Sequence, residues 1–162
     1  MNLSLLAFLG IAVVAASSGA LFRPGEHYER LNFPSWRPPN YLFAPVWTVL
    51  YIMIAVSGWL VYEKTGWSDA GRHAMIVYGI HFVLNYLWSA IFFGLKQRGL
   101  ALFEMALLWL SIVVMIVLFY PISKIAAYLL VPYLCWVSFA FVLNHAVWSL
   151  NRGVRLGEPK TR

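Results

Sequence analysis

The chain has 162 residues, of which 62% are hydrophobic and only 11% charged, with a formal net charge of +6. That balance excludes an ordinary soluble domain, because too few polar side chains remain to cover an aqueous surface. The charge does not point to nucleic acid either: the twelve Lys and Arg are scattered between apolar runs and form no basic stripe.

At about 20 apolar residues per crossing, this length holds roughly five membrane spans. The expected architecture is an all-α membrane protein, a five-transmembrane-helix bundle forming one domain over residues 1–152, with a basic tail over 153–162. The first run, 3–22, ends in Ala15-Ala16-Ser17-Ser18-Gly19-Ala20, which could be taken for a cleavage site, but no Lys or Arg precedes it and a retained helix is expected. Ala12, Ala16 and Ala20 form a small-residue ridge on it, suited to packing within the bundle or between protomers of a homodimer. A long break follows, in which Pro24, Pro34, Pro38 and Pro39 stand among Arg23, Arg30 and Arg37. Prolines stop a continuous helix, while Tyr28, Phe33 and Trp36 give the segment apolar surface to pack as an ordered loop.

The remaining spans are expected over 42–63, 73–94, 99–120 and 125–150, joined by short connections that make neighbours antiparallel. Nine Lys and Arg fall on the side of the first loop, the third connection and the tail, against three on the other. This asymmetry predicts a cytoplasmic C-terminus and first loop, in a bacterial membrane. The single cysteine, Cys135, lies in an apolar run without a disulfide partner.

Three constellations could carry function. Trp36-Arg37-Pro38-Pro39 leads into Phe43, Pro45, Trp47, Thr48 and Tyr51, where Trp47 and Tyr51 share a face at a spacing of four. An aromatic belt at the membrane interface is the alternative, and it suits Trp36 best. His81, Asn85 and Ser89 share one face of the third span beside Trp88; polar groups at membrane depth belong inside a bundle, either bonding a neighbouring helix or facing a ligand. On the fifth span Trp136, Ala140 and Asn144 recur four apart, with Asn151 continuing the face. Small Ala140 between an indole and an amide leaves room for a flat apolar molecule, or permits close helix approach.

His27, His73, His81 and His145 lack metal-ligand spacing, so no metal site is expected; His81 as an axial ligand to haem iron is a minor alternative. Glu104 is the one carboxylate within a predicted span, and nothing forms a catalytic dyad or triad. Ordinary hydrolytic chemistry is therefore not expected, nor is a required cofactor.

The pattern Pro34-x-Trp36-x-Pro38-Pro39 with Trp47-Thr48-x-x-Tyr51, then Asn85-x-x-Trp88-x-x-x-Phe92-Phe93-Gly94, then Pro132-Tyr133-x-x-Trp136-x-x-Phe139-Ala140-x-x-Leu143-Asn144, resembles the translocator protein family, also called tryptophan-rich sensory proteins. The resemblance implies a five-helix bundle, often a homodimer, whose pocket binds porphyrins such as protoporphyrin IX, with isoquinoline carboxamides, benzodiazepines and cholesterol as further ligands. It implies a site lined by Trp36, Trp47, Tyr51, Asn85, Trp88, Trp136 and Ala140, roofed by the Arg23 to Tyr41 loop; the faces read from spacing add His81 and Asn144. The family's cholesterol motif has Tyr and a basic residue where this chain has His145 and Ser149, although Leu60-Val61-Tyr62-Glu63-Lys64 fits the same loose pattern. Three functions follow as alternatives: a receptor or carrier for tetrapyrroles, a light- or oxidant-dependent porphyrin-degrading enzyme using Trp47 and Trp136, and a cholesterol- or lipid-binding transport module.

Overall fold

A computed structural model describes residues 3–22 and 25–152, apart from the side chains of residues 20, 26 and 27. The described residues form helices joined by short turns, with no strand among them. In chain order these are α1 (Leu3–Leu21), the single turn α2 (Glu26–Glu29), α3 (Asn40–Thr65), α4 (Asp69–Ser89), α5 (Arg98–Phe119), α6 (Lys124–Leu129) and α7 (Val131–Leu150). Four stretches are long and apolar enough to cross a membrane: Asn40–Thr65, Asp69–Gly94, Arg98–Phe119 and Lys124–Leu150. The first helix is apolar but shorter. These bounds lie within a few residues of the expected runs. The tail, 153–162, lies outside the described residues, as do Arg23 and Pro24.

Local chemistry explains most helix ends. Ser68 caps α4 by accepting from the Gly71 N–H at 3.3 Å, and Ser123 caps α6 by accepting from the Ala126 N–H at 3.4 Å. The connection from α3 turns at Gly66, whose φ of +52° is open to glycine without strain.

Two irregularities were not expected from hydropathy. First, α4 runs into a π turn over Ala90–Gly94, closed by the Leu95 N–H on the Ala90 carbonyl at 2.8 Å. Second, the fifth span is broken between Leu129 and Val131, because Pro132 has no N–H with which to continue the helical ladder. The break changes the span's packing: α6 lies against both α3 and α5, whereas α7 leans on α5 and barely touches α3.

The core runs along the bundle axis through Ile54, Ala55, Val61, Ile112, Met115, Phe119, Tyr133 and Val137, all essentially buried. Gly58 permits a close approach of α3 to α4, since a Cβ there would sit 2.5 Å from the Tyr78 ring. Ser57 crosses from α3 to α6, donating to the Ala126 carbonyl at 2.7 Å. The outer faces carry Ile52, Ile76, Ile80, Val83, Val114 and Val117, all exposed. Apolar side chains arrayed outward in this number fit a surface whose solvent is hydrocarbon. On α1 the alanine ridge is split: Ala12 is buried in the bundle and Ala16 is exposed.

Candidate functional site

The split packing of the fifth span leaves a wedge between α3 and α7 at the end of the bundle that carries the first loop. It holds a cavity of about 530 Å³. Trp47 and Tyr51 form its α3 wall, Asn85 and Trp88 its α4 wall, and Trp136, Ala140 and Asn144 its α7 wall. Seven of the nine residues expected to form a site are thus brought together. Tyr28, Phe33 and Asn40 close it from the loop side.

The three indoles are braced by other rings. Trp47 lies against Tyr51 with centroids 5.6 Å apart and meets the edge of Tyr133 at 6.1 Å. Trp88 stacks on Phe92 at 5.3 Å, and Trp136 packs between Phe43 at 5.8 Å and Phe139 at 5.5 Å. Such bracing holds the rings in fixed orientation at the cavity wall.

A buried polar chain supports the same wall. The Tyr51 hydroxyl donates to Asn85 Oδ1 at 2.6 Å, and Asn85 Nδ2 donates to the Tyr133 hydroxyl at 3.0 Å. Asn85 therefore joins α3, α4 and α7 and is itself satisfied at both ends. Other polar groups at the wall are not: the indole N–H groups of Trp88 and Trp136 and both ends of the Asn144 amide are buried without a hydrogen-bond partner. Unpaired buried donors and acceptors cost about 1–3 kcal/mol each. A ligand that stacks on the indoles and offers a polar group to Asn144 would recover part of that.

His81 and Trp36 lie apart from the cavity. His81 is wholly buried one turn from Asn85, facing the Tyr133 ring at 5.4 Å, with Nδ1 2.9 Å from the Ser111 hydroxyl. Ser111 already donates its proton to the Leu108 carbonyl at 2.6 Å, so Nδ1 carries the hydrogen and donates to Ser111. Enclosed by Phe82 and Tyr133, the imidazole has no space beside it for a macrocycle, and the axial-ligand reading finds no support. Trp36 is about half exposed and touches the edge of Phe139 at 5.9 Å, one ring removed from Trp136. Among the described residues, no group of three His, Cys, Asp or Glu comes together.

Sequence reasoning assigned no wall to α1 or α5, yet Ala16, Ser18 and Gly19 border the cavity from one and Met105 and Leu108 from the other. Both helices are apolar almost throughout, so their inward faces carry no distinguishing residue type. Ser18 is also buried against Ser89 on α4, hydroxyl to hydroxyl at 3.2 Å.

The loop is fastened at two places. Asn151, just beyond α7, accepts from the Asn32 N–H and donates to the Asn32 carbonyl, both at 2.9 Å. Arg37 lays its guanidinium over Phe33 at 3.8 Å and Tyr28 at 5.2 Å, and hydrogen-bonds Asn40. Burial pushes the Tyr28 phenol above its ordinary pKa, against the opposing influence of Arg37. Arg23, which opens this loop in the sequence, lies outside the described residues.

The model of the TspO/MBR family matches residues 5–149. The chain belongs to the TspO/MBR family. It is 40% identical over 153 residues to the tryptophan-rich protein TspO of Chlorobaculum tepidum, covering 92% of this chain and 96% of that one. Protein CrtK of Rhodobacter capsulatus is 36% identical across 94% of this chain and 96% of its own length. The human translocator protein is 36% identical across 86% and 85%. With four helices of spanning length and bacterial relatives of this family, the protein is an integral membrane protein.

Proposed function

We propose that this family member is a membrane receptor and carrier for porphyrins, protoporphyrin IX in particular, that governs tetrapyrrole traffic or level. In this reading all five long helices cross the bilayer, and the C-terminus and first loop face the cytoplasm. The observation that carries it is the cavity of about 530 Å³ walled by Trp47, Trp88 and Trp136. That volume is within the roughly 300–1,000 Å³ typical of small-molecule sites. A porphyrin is a broad aromatic plane with anionic propionates, so indole faces suit its ring. The guanidinium of Arg37, laid over Tyr28 and Phe33 at this end of the cavity, suits its carboxylates.

Degradation of the bound ring is the second reading. It draws on the placement of Trp47 on the α3 wall and Trp136 on the α7 wall of one cavity, where an indole could give up an electron to an excited or oxidised porphyrin.

Tryptophan-fluorescence quenching of the purified protein by protoporphyrin IX, in the dark and under illumination, tests both readings. Saturable quenching weakened by Trp47→Phe or Trp136→Phe is the expected result for the receptor. Light-dependent loss of porphyrin absorbance, stopped by the same substitutions, would favour the enzyme. Quenching that rises linearly and ignores both substitutions would set porphyrin binding aside.

A further inference from the structure

A second, smaller space of about 130 Å³ opens beside the α2 turn, separate in its chemistry from the indole-lined cavity. Tyr28 and Leu31 border it from the loop, Phe92 and Phe93 from the π turn, and Lys96 and Arg98 from the segment that follows. No carboxylate is among the described residues that line it. Neither Lys96 nor Arg98 forms an ion pair among the described residues, and Arg98 Nη1 is buried without a hydrogen-bond partner.

The backbone that presents these cations is unusual twice over. The π turn widens the end of α4, and Lys96 then adopts φ +60°, a left-handed conformation that costs a non-glycine residue free energy. Both irregularities recur at functional sites in proteins generally. Here they set an ammonium and a guanidinium at the rim of one apolar-floored space. Arg98 also opens α5, so the unpaired N–H end of a 22-residue helix adds positive potential to the same spot.

We propose that this space is an oxyanion site that takes the phosphate of an anionic phospholipid headgroup. Size limits the occupant: a space of about 130 Å³ accepts a phosphate or carboxylate and not a porphyrin macrocycle. Position favours a lipid source, because Lys96 and Arg98 stand where two apolar spans end and headgroups begin. The fork of Arg98 can hold two phosphate oxygens at once, while Lys96 contributes a point charge. Tyr28, Phe92 and Phe93 wall both spaces, so a lipid held here would press on the partition next to the larger cavity. The site does not depend on which ligand fills that cavity.

The test is the thermal unfolding midpoint of the delipidated full-length protein in a nonionic detergent. It is titrated separately with short-chain phosphatidylglycerol, short-chain phosphatidylcholine and inorganic phosphate. Saturable stabilisation by phosphatidylglycerol, with apparent affinity about tenfold weaker in Arg98→Gln and in Lys96→Gln, is expected for loss of one charge-assisted hydrogen bond. Lys124→Gln, at the other end of the bundle, should behave as wild type. Lys96→Gly gives a signature that a merely structural role would not: it should raise the midpoint without lipid, by relieving φ, yet weaken the lipid response. Equal saturation by inorganic phosphate would keep the oxyanion site and move its source to soluble anions. Stabilisation indifferent to Lys96→Gln and Arg98→Gln, or none with any of the three additives, would overturn the proposal. Should Arg98→Gln fail to fold, exposed Lys96 still decides the outcome.

Discussion

The side-chain amide of Asn151 and the backbone of Asn32 hold each other in both directions, 119 residues apart, with N–H to Oδ1 and Nδ2 to carbonyl each at 2.9 Å. An amide carries an acceptor and a donor side by side, which suits it to this pairing. Asn151→Ala should cost about 1–3 kcal/mol of stability and expose the loop to protease. Asn151→Asp, which turns a buried carboxylate toward the Asn32 and Val147 carbonyls, should cost at least as much. Thermal unfolding and limited proteolysis check both, and unchanged protease resistance in Asn151→Ala would show that the loop is held elsewhere.

Asn85 offers a second test, because its two partners depend on it. Asn85→Leu leaves the hydroxyls of Tyr51 and Tyr133 unpaired in the bundle, at about 1–3 kcal/mol for each group. Adding Tyr51→Phe and Tyr133→Phe removes those hydroxyls and should restore part of the loss. A double-mutant cycle reads the coupling; strictly additive losses would mean the three side chains act independently.

Helix approach at Gly58 is tight enough to be measured. Gly58→Ala places a methyl 2.5 Å from the Tyr78 ring, which is buried and cannot retreat freely, so a loss of about 1–3 kcal/mol is expected. Gly10→Ala on α1, with nothing within 4 Å, should leave the unfolding midpoint almost where it is or raise it slightly.

The loop should also respond to alkali. Burial raises the Tyr28 pKa above 10.0, so the folded protein holds this proton more tightly than the unfolded chain does. Its contribution is complete below pH 10.0 and is lost as pH rises through the folded value. Wild type should therefore lose stability above pH 10.0 more steeply than Tyr28→Phe. Parallel curves for the two proteins would remove Tyr28 as the cause.

Much of this was legible in the sequence. Uninterrupted hydropathy marked the long helices, and spacings of four placed Trp47 with Tyr51 and Trp136 with Ala140 on the right faces. Periodicity, however, gives direction and not depth. His81 shares a face with Asn85, yet one turn along that face the ring of Tyr133 fills the space, and the imidazole is core. Asn151 was read as a continuation of the α7 face and proves to be a fastener for the loop. Lys96 and Arg98 were counted only as loop charges, because the π turn that aims them has no composition of its own.

The break before Pro132 reaches further than one missing hydrogen bond. By leaving α6 against α3 while α7 departs from it, the break opens the hollow through the course of the main chain. Wall positions such as Ala140 and Asn144 can then change through descent without the container collapsing. Container and lining are separable in this chain: the main chain shapes the one, and side chains such as Ala140 and Asn144 decide what the other admits.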